Sequence, residues 1–131
     1  KAVKNPFLSD LHVVTDFGTG EHVESLSHFL KNAFGFLQVG GIAIHSNPKT
    51  GHFPGHQLEG QKHESHHFIP EFWSAYTKAA KLELIETREQ AAYGNTETGV
   101  EVYAVYRKTE ESKFPTKAAF TKIMKAYVFS K

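Results

Sequence analysis

Histidine is the residue type in this chain with the clearest capacity for chemistry. Six of the nine histidines fall between His45 and His67. A histidine close to its ordinary pKa can take up a proton at neutral pH, which suits a general base. His45 directly follows a short apolar run, and His22 closes a glycine-rich turn. We therefore expect His45, His22 and His56 to be the candidate catalytic groups.

The same histidine-rich segment also permits a metal hypothesis. Neutral imidazole is a common zinc ligand, and three imidazoles beside an open coordination position suit hydrolysis. The spacing matches no compact zinc motif, and no histidine pair lies on a predicted helix. The chain has no cysteine, which excludes disulfides, thiolate zinc sites and cysteine nucleophiles. We expect no metal, and a histidine-rich metal-dependent hydrolase remains an alternative.

Polar residues also follow two apolar runs that resemble strands. The run Leu11–Val14 leads to Asp16, and the run Ile42–Ile44 leads to His45 and Asn47. Two strands joined through a helix normally lie parallel, with a right-handed crossover. Ligands of such sheets bind beyond the carboxyl ends of the strands. The sequence therefore predicts that Asp16 and His45 open onto a common crevice.

The turn between the first run and the next helix has the sequence Gly18-Thr19-Gly20-Glu21-His22. Missing side chains let a backbone approach a ligand closely, and the first turn of a helix offers free N–H groups. The turn lacks the Gly-Lys-Ser/Thr ending of a phosphate loop and the three glycines of a dinucleotide site. A tight turn capped by Thr19 is an equally good interpretation.

Hydrophobic spacing predicts the elements around these residues. Thr19 or Gly20 is expected to open a helix that Gly40-Gly41 ends, because glycine adopts the left-handed cap readily. Ile42–His45 is expected to be a central strand covered on both faces. The buried stripe of the helix comprises Val23, Leu26, Leu30, Ala33, Phe34 and Leu37.

The second half of the chain predicts a helix, a hairpin and a final helix. Pro70 fits the first turn of a helix. Leu82–Tyr93 and Val100–Lys108 are expected to form an antiparallel hairpin at the edge of the sheet. A terminal amphipathic helix is expected over residues 118–128. Residues 47–67 form a loop that would cover the carboxyl ends of the strands as a lid.

Composition places the chain among ordinary globular domains. It has 131 residues, 40% of them apolar and 22% charged. No apolar run approaches the roughly 20 residues needed to cross a bilayer, and the start is unlike a signal peptide. We expect a cytoplasmic location and no membrane partner. Residues 107–131 hold seven Lys or Arg and two Asp or Glu. We interpret this basic end as the solvated face of a helix and expect no nucleic-acid partner.

The segment from His12 to Lys108 resembles the carboxyl-terminal half of a class I S-adenosylmethionine-dependent methyltransferase. Residues 15–23 look like the end of that family's fourth strand, where Glu-His-Val commonly opens the next helix. Residues 29–42 are similar to its following helix and Gly-Gly turn, with Val39 where proline is usual. The hairpin matches its final antiparallel strand pair.

The resemblance implies an α/β fold: a partial Rossmann-like methyltransferase sheet of parallel strands, an antiparallel terminal hairpin, and helices packed on the faces. It divides one domain into a methyltransferase-like core, residues 11–108, and a basic C-terminal helix, residues 109–131. It implies S-adenosylmethionine as cofactor, contacted by Asp16, Phe17 and Gly18, and methyl transfer to a small-molecule acceptor. The expected acceptor contacts are Asn47, His52, Phe53 and Trp73, although Trp73 could instead belong to the helix core.

The resemblance also leaves part of the family's pattern unmatched. Only ten residues precede Leu11, so the glycine-rich turn after the family's first strand and the acid of its second strand have no counterpart. We expect a fragment of a longer enzyme, a chain that pairs with a partner, or a domain that self-associates. The absence of an initial methionine favours a fragment. A non-catalytic interaction module that completes its sheet with a partner chain is a further alternative.

Overall fold

The computed structural model describes residues 9–49, 66–91 and 99–130. Besides a short 3-10 turn, the elements in chain order are β1 (Leu11–Phe17), α1 (Leu26–Phe36), β2 (Leu37–Pro48), β3 (His66–His67), α2 (Pro70–Ala80), β4 (Glu83–Ala91), β5 (Val100–Arg107), α3 (Lys117–Tyr127) and β6 (Phe129–Ser130).

A four-stranded sheet with the order β1-β2-β5-β4 organises the fold. Strands β1 and β2 are parallel, with Asp16 opposite His45. Strand β5 runs antiparallel to both of its neighbours, β2 and β4. The predicted parallel pair and the predicted antiparallel hairpin are therefore confirmed, and so is the α/β fold class. A separate antiparallel pair, β3 with β6, was not predicted.

The start of the first helix differs from the prediction. Helix α1 begins at Leu26, after Ser25, whose side chain accepts a hydrogen bond from the His28 N–H group (3.3 Å). Serine is a favoured N-cap residue. The predicted start at Thr19 or Gly20 is wrong because residues 20–22 form only a 3-10 turn, and extended backbone at Val23 ends it.

The end of that helix also differs from the prediction. The chain passes directly from α1 into β2 at Leu37, so Gly40-Gly41 lies inside a strand instead of ending a helix. Gly40 has φ +87°, a conformation that favours glycine, and the pairing between β1 and β2 is irregular here. A Cβ on Gly41 would lie 2.9 Å from the Leu11 carbonyl oxygen, so the glycine permits close approach of β1.

A buried lysine binds the carbonyl groups at the end of α1, the role that the sequence assigns to a glycine cap. The Lys108 ammonium donates hydrogen bonds to the carbonyl oxygens of Phe34 (2.9 Å) and Leu37 (2.8 Å). It also lies 4.4 Å from the centroid of the Phe34 ring. A positive charge is stabilising at a helix C-terminus, where carbonyl groups lack helical partners. Burial lowers the pKa of Lys108. Lys108, which follows β5, therefore links the end of α1 to the sheet.

The core lies on the face of the sheet that carries Ala43 and His45. Helix α2 supplies three of its aromatic side chains, and Phe120 of α3 packs against two of them, Phe72 and Tyr76. The predicted helices at Pro70 and in residues 118–128 are confirmed. Strand β2 is central as predicted but longer, and its other face, with Ile42 and Ile44, is half-buried among the described residues.

Within the described ranges, no helix has the length and apolar character that crossing a membrane requires. The cytoplasmic location stays a prediction. The division between residues 11–108 and 109–131 also stays a prediction.

Candidate active site

The carboxylate of Asp16 is the centre of a buried polar network at the end of β1. Its Oδ1 accepts hydrogen bonds from the N–H groups of Thr19 (3.1 Å) and Gly20 (2.9 Å). Its Oδ2 accepts from Nδ1 of His45 (2.9 Å) and Nδ2 of Asn47 (3.1 Å). The residue is only 3% exposed. Four donors therefore hold one carboxylate, two from the following turn and two from β2.

These contacts decide the charge of Asp16. Burial by itself would raise its pKa, because desolvation disfavours the charged form. The hydrogen bonds from His45, Gly20 and Asn47 outweigh burial and lower the pKa. The folded protein therefore holds Asp16 as a carboxylate.

His45 packs against two aromatic rings and has no exposed surface. Its ring stacks on Trp73 (centroids 4.5 Å apart) and on Tyr106 (5.5 Å). Nε2 lies 3.0 Å from the Tyr106 hydroxyl oxygen. Burial raises the pKa of Tyr106, so its hydroxyl keeps its proton. We assign a series of hydrogen bonds in which Tyr106 O–H donates to Nε2 of His45, and Nδ1–H of His45 donates to Asp16.

The structure thus brings Asp16 and His45 together, as predicted, but buries both. They do not open onto a crevice, because α2 places Trp73 directly against the His45 ring. The catalytic role of His45 stays a prediction. A buried imidazole with both nitrogens hydrogen-bonded is arranged to hold its neighbours in place.

Asn47 extends the network to a second carboxyl group. Its Nδ2 group donates to Asp16 Oδ2 and to Glu21 Oε1, both at 3.1 Å. Glu21 is 3% exposed. Burial raises its pKa, hydrogen bonds including the one from Asn47 oppose the rise, and the charges of Asp16 and Glu101 add to it. Two carboxyl groups with opposite pKa shifts therefore share one amide.

The glycines of the turn allow this packing. A Cβ on Gly20 would lie 2.7 Å from Asp16 Oδ2 and 3.2 Å from Asn47 Nδ2, which is too close for any larger residue. Gly18 has φ +80°, and its N–H group donates to the Ser46 carbonyl oxygen (3.1 Å). The turn is therefore fixed to β2 by both its backbone and its side-chain contacts.

The remaining predicted site residues are dispersed. Phe17 is 61% exposed, at the carboxyl end of β1 and on the face of the sheet away from Asp16. His22 is half-buried in the 3-10 turn. Trp73 is fully buried in the aromatic core, so a contact with an acceptor stays a prediction. His52, Phe53 and His56 lie outside the described residues.

Sequence reasoning missed two members of the network, Glu21 and Tyr106. The sequence places Glu21 only in the glycine-rich turn before the predicted helix. Tyr106 follows the alternation of Val102 and Ala104, and all three are fully buried. Since alternate residues of a strand share a face, this spacing could have placed Tyr106 beside His45.

The described part of the chain contains no group of three His, Asp or Glu side chains that could hold a metal ion. Three of the histidines that prompted the hydrolase hypothesis, at positions 52, 56 and 63, lie outside that part.

The sheet order and the packed helices define a methyltransferase-like α/β fold. A solved structure with this fold is that of 1,6-didemethyltoxoflavin-N1-methyltransferase from Burkholderia thailandensis, with bound 1,6-didemethyltoxoflavin and S-adenosylhomocysteine. The match has a TM-score of 0.57 and 11% identity, and it covers 79% of this chain. The chain spans 46% of the length of that enzyme. No protein-family model and no curated protein matches the sequence.

Proposed function

We propose that this chain takes part in S-adenosylmethionine-dependent methyl transfer to a small-molecule acceptor, as the carboxyl-terminal half of the catalytic domain. The observation that carries the proposal is the parallel pair β1 and β2, whose carboxyl ends meet at the Asp16 network. Ligands of such sheets bind at this edge. The similar methyltransferase holds S-adenosylhomocysteine and a small-molecule ligand, which supports the same class of ligand here.

In this proposal the turn after β1 faces the cofactor. Gly18 offers backbone without a side chain, and Phe17 offers a largely exposed aromatic ring. Asp16 acts on the cofactor through the turn, since its carboxylate is already occupied by four donors. The residues described therefore fit one side of a cofactor site.

Bound S-adenosylmethionine would supply an electrophilic methyl group. The chain's own residues would orient the acceptor and receive the proton that the acceptor loses. Among the predicted bases, His22 is half-buried near the end of β1, whereas His45 is enclosed. Accessibility therefore favours His22 over His45. Asn47, Trp73, His52 and Phe53 remain the proposed acceptor contacts, and His56 remains a proposed base.

Calorimetric titration of the full-length protein with S-adenosylhomocysteine tests the proposal, and Phe17→Ala and Val13→Ala form a matched pair. Both side chains are exposed on the same face of β1, at 61% and 53%, but only Phe17 lies at the carboxyl end. Losing the apolar contact of one aromatic ring should weaken binding by about tenfold or more, while Val13→Ala should leave it unchanged.

Two results would contradict the proposal. The first is a full-length protein that does not bind S-adenosylhomocysteine. The second is equal weakening by the two variants, because that would mean that the carboxyl end of β1 has no special role.

A non-catalytic interaction module is a second candidate, supported by the outer edge of β1. This strand ends the sheet order, so its outer edge has no paired strand among the described residues. Val13 and Phe17, on one face of this strand, are both largely exposed. An uncovered apolar edge strand is a site where another chain can pair. Size-exclusion chromatography with light scattering tests this candidate, since a purely monomeric protein would contradict obligate pairing.

A further inference from the structure

His45 has contacts that the proposed methyl transfer does not explain. It is completely buried, both ring nitrogens are hydrogen-bonded, and its ring packs against the rings of Trp73 and Tyr106. A buried hydrogen-bonded group of this kind stabilises one arrangement of its partners, because leaving either partner unsatisfied is costly. The question is what arrangement His45 fixes.

The hydrogen bonds lead from His45 to the turn after β1. Nδ1–H of His45 donates to one oxygen of Asp16, and the other oxygen receives the N–H groups of Thr19 and Gly20. A carboxylate is planar, so fixing one oxygen fixes the direction of the other. Tyr106 in turn fixes the His45 ring through Nε2. The chain of contacts therefore connects β5, β2 and β1 to the turn.

We propose that His45 is a positioning residue, which with Tyr106 orients the Asp16 carboxylate so that it holds the Thr19–Gly20 backbone. The only element taken from the proposed function is that this turn faces S-adenosylmethionine. The hydrogen-bond chain and its effect on the turn do not depend on it.

Asn47 cannot replace His45 in this role. It donates to the same Asp16 oxygen, but its amide group also donates to Glu21. Without His45, the position of Asp16 would depend on an amide shared between two carboxyl groups. The turn would then be held less firmly, while the packing of the sheet would stay intact if an aromatic ring replaced the imidazole.

Three variants separate the hydrogen bonds of His45 from its packing. His45→Phe keeps a ring beside Trp73 and Tyr106 but removes both hydrogen bonds. His45→Asn places an amide nitrogen near the position of Nδ1 and so restores the donor to Asp16. Thr87→Val is the control, because it removes a hydrogen bond to the Tyr103 carbonyl elsewhere in the same sheet.

Amide hydrogen exchange measured by NMR is the primary readout. His45→Phe should accelerate exchange at Thr19 and Gly20 by about 10- to 100-fold, the effect of losing a hydrogen bond to a charged group. Amides of β5 should be unchanged, His45→Asn should restore most of the protection, and Thr87→Val should not affect the turn. Unchanged exchange at Thr19 and Gly20, uniform loss across β5, or failure of His45→Asn to restore protection would each overturn the proposal.

Two further measurements keep the proposal testable if His45→Phe does not fold. Tyr106→Phe retains its ring and should accelerate exchange at the turn to a smaller degree, and no acceleration would count against the chain of contacts. Nitrogen-15 NMR of the wild-type His45 ring should show a proton on Nδ1. An Nδ1 without a proton would overturn the proposal, because it could not donate to Asp16.

Calorimetry with S-adenosylhomocysteine separates this inference from the proposed function. Binding should weaken about tenfold in His45→Phe and recover in His45→Asn. If the wild-type protein does not bind S-adenosylhomocysteine, the proposed function fails, and the exchange data still decide whether His45 positions the turn.

Discussion

Replacing Asp16 with asparagine is the most informative test of the buried network. Asp16→Asn keeps the shape of the side chain but replaces one acceptor oxygen with an NH2 group. The four donors that surround Asp16 need acceptors on both sides of the group. Whichever way the new amide turns, its NH2 group faces two N–H donors, at least one of them buried, and both lose their acceptor.

The size of the effect follows from that count. An unsatisfied buried donor costs about 1–3 kcal/mol, so Asp16→Asn should lose at least about 1–3 kcal/mol of folding free energy, and up to about 6 kcal/mol where both donors are buried. The free energy of unfolding of an ordinary domain is about 5–15 kcal/mol, so Asp16→Asn should remove a large fraction of it. Asp10→Asn is the control, since Asp10 is the only other aspartate and is exposed.

Urea unfolding followed by tryptophan fluorescence measures this loss directly. Trp73 is the only tryptophan, and it is buried against His45. The unfolding midpoint should fall sharply in Asp16→Asn with an unchanged slope, and Asp10→Asn should resemble the wild type. A loss below about 1 kcal/mol for Asp16→Asn would refute the network, because it would fall below the cost of a single unsatisfied donor.

The pH dependence provides an independent check on the same residue. Because the folded pKa of Asp16 is lowered, its stabilising contribution is fully present above the ordinary value of 3.8 and is lost as the pH falls through the folded pKa. The stability gap between the wild type and Asp16→Asn should therefore be constant near neutral pH and narrow only in acid. A gap that stays constant into strong acid would contradict this assignment.

Two further predictions concern buried charges. Burial raises the folded pKa of Glu21, so folding stability is lost as the pH rises from the ordinary value of 4.5 through the folded pKa. Glu21→Gln should therefore raise the urea midpoint of unfolding at pH 7 and remove this pH dependence. The exposed control Glu24→Gln should do neither. Lys108→Met keeps the apolar stem but removes two charge-assisted hydrogen bonds at the end of α1, so it should lower the free energy of unfolding, measured in urea, by about 3–6 kcal/mol. The exposed control Lys122→Met should leave that free energy almost unchanged. Similar losses for the two variants would contradict the role of Lys108 at the helix end.

The arrangement of the sheet could be predicted because its signals are local. Two apolar runs joined by a helical segment indicated the parallel pair, and a glycine-bounded polar connection indicated the hairpin. The start of α1 could not be predicted in the same way. Residues 20–22 form a 3-10 turn that ends at extended Val23, and Ser25 caps α1 instead. The turn also contacts Asn47 through Glu21, a contact between residues 26 positions apart that local spacing does not reveal. The glycines at positions 40 and 41 likewise serve contact with β1 instead of a helix end.

The candidate site shows the same division. The rule that ligands bind at strand ends correctly brought Asp16, His45 and Asn47 together. Their burial depends on Trp73 and Tyr106, which belong to elements far along the chain. The alternation within β5 could have placed Tyr106 on the face of His45, but spacing within a single segment does not indicate that Trp73 packs against that ring. The sequence therefore predicted that these three residues lie together but not that they are enclosed. Because it is enclosed, His45 is better suited to positioning its neighbours than to taking a proton from a ligand.

Mapping S-adenosylhomocysteine by two-dimensional NMR shows whether the carboxyl ends of β1 and β2 form one side of a cofactor site. The ligand would be titrated into the full-length, nitrogen-15-labelled protein. We expect the largest amide chemical-shift changes at Phe17, Gly18 and Gly20, with smaller changes at Asn47. No shift changes at saturating ligand, or changes confined to α3, would contradict it.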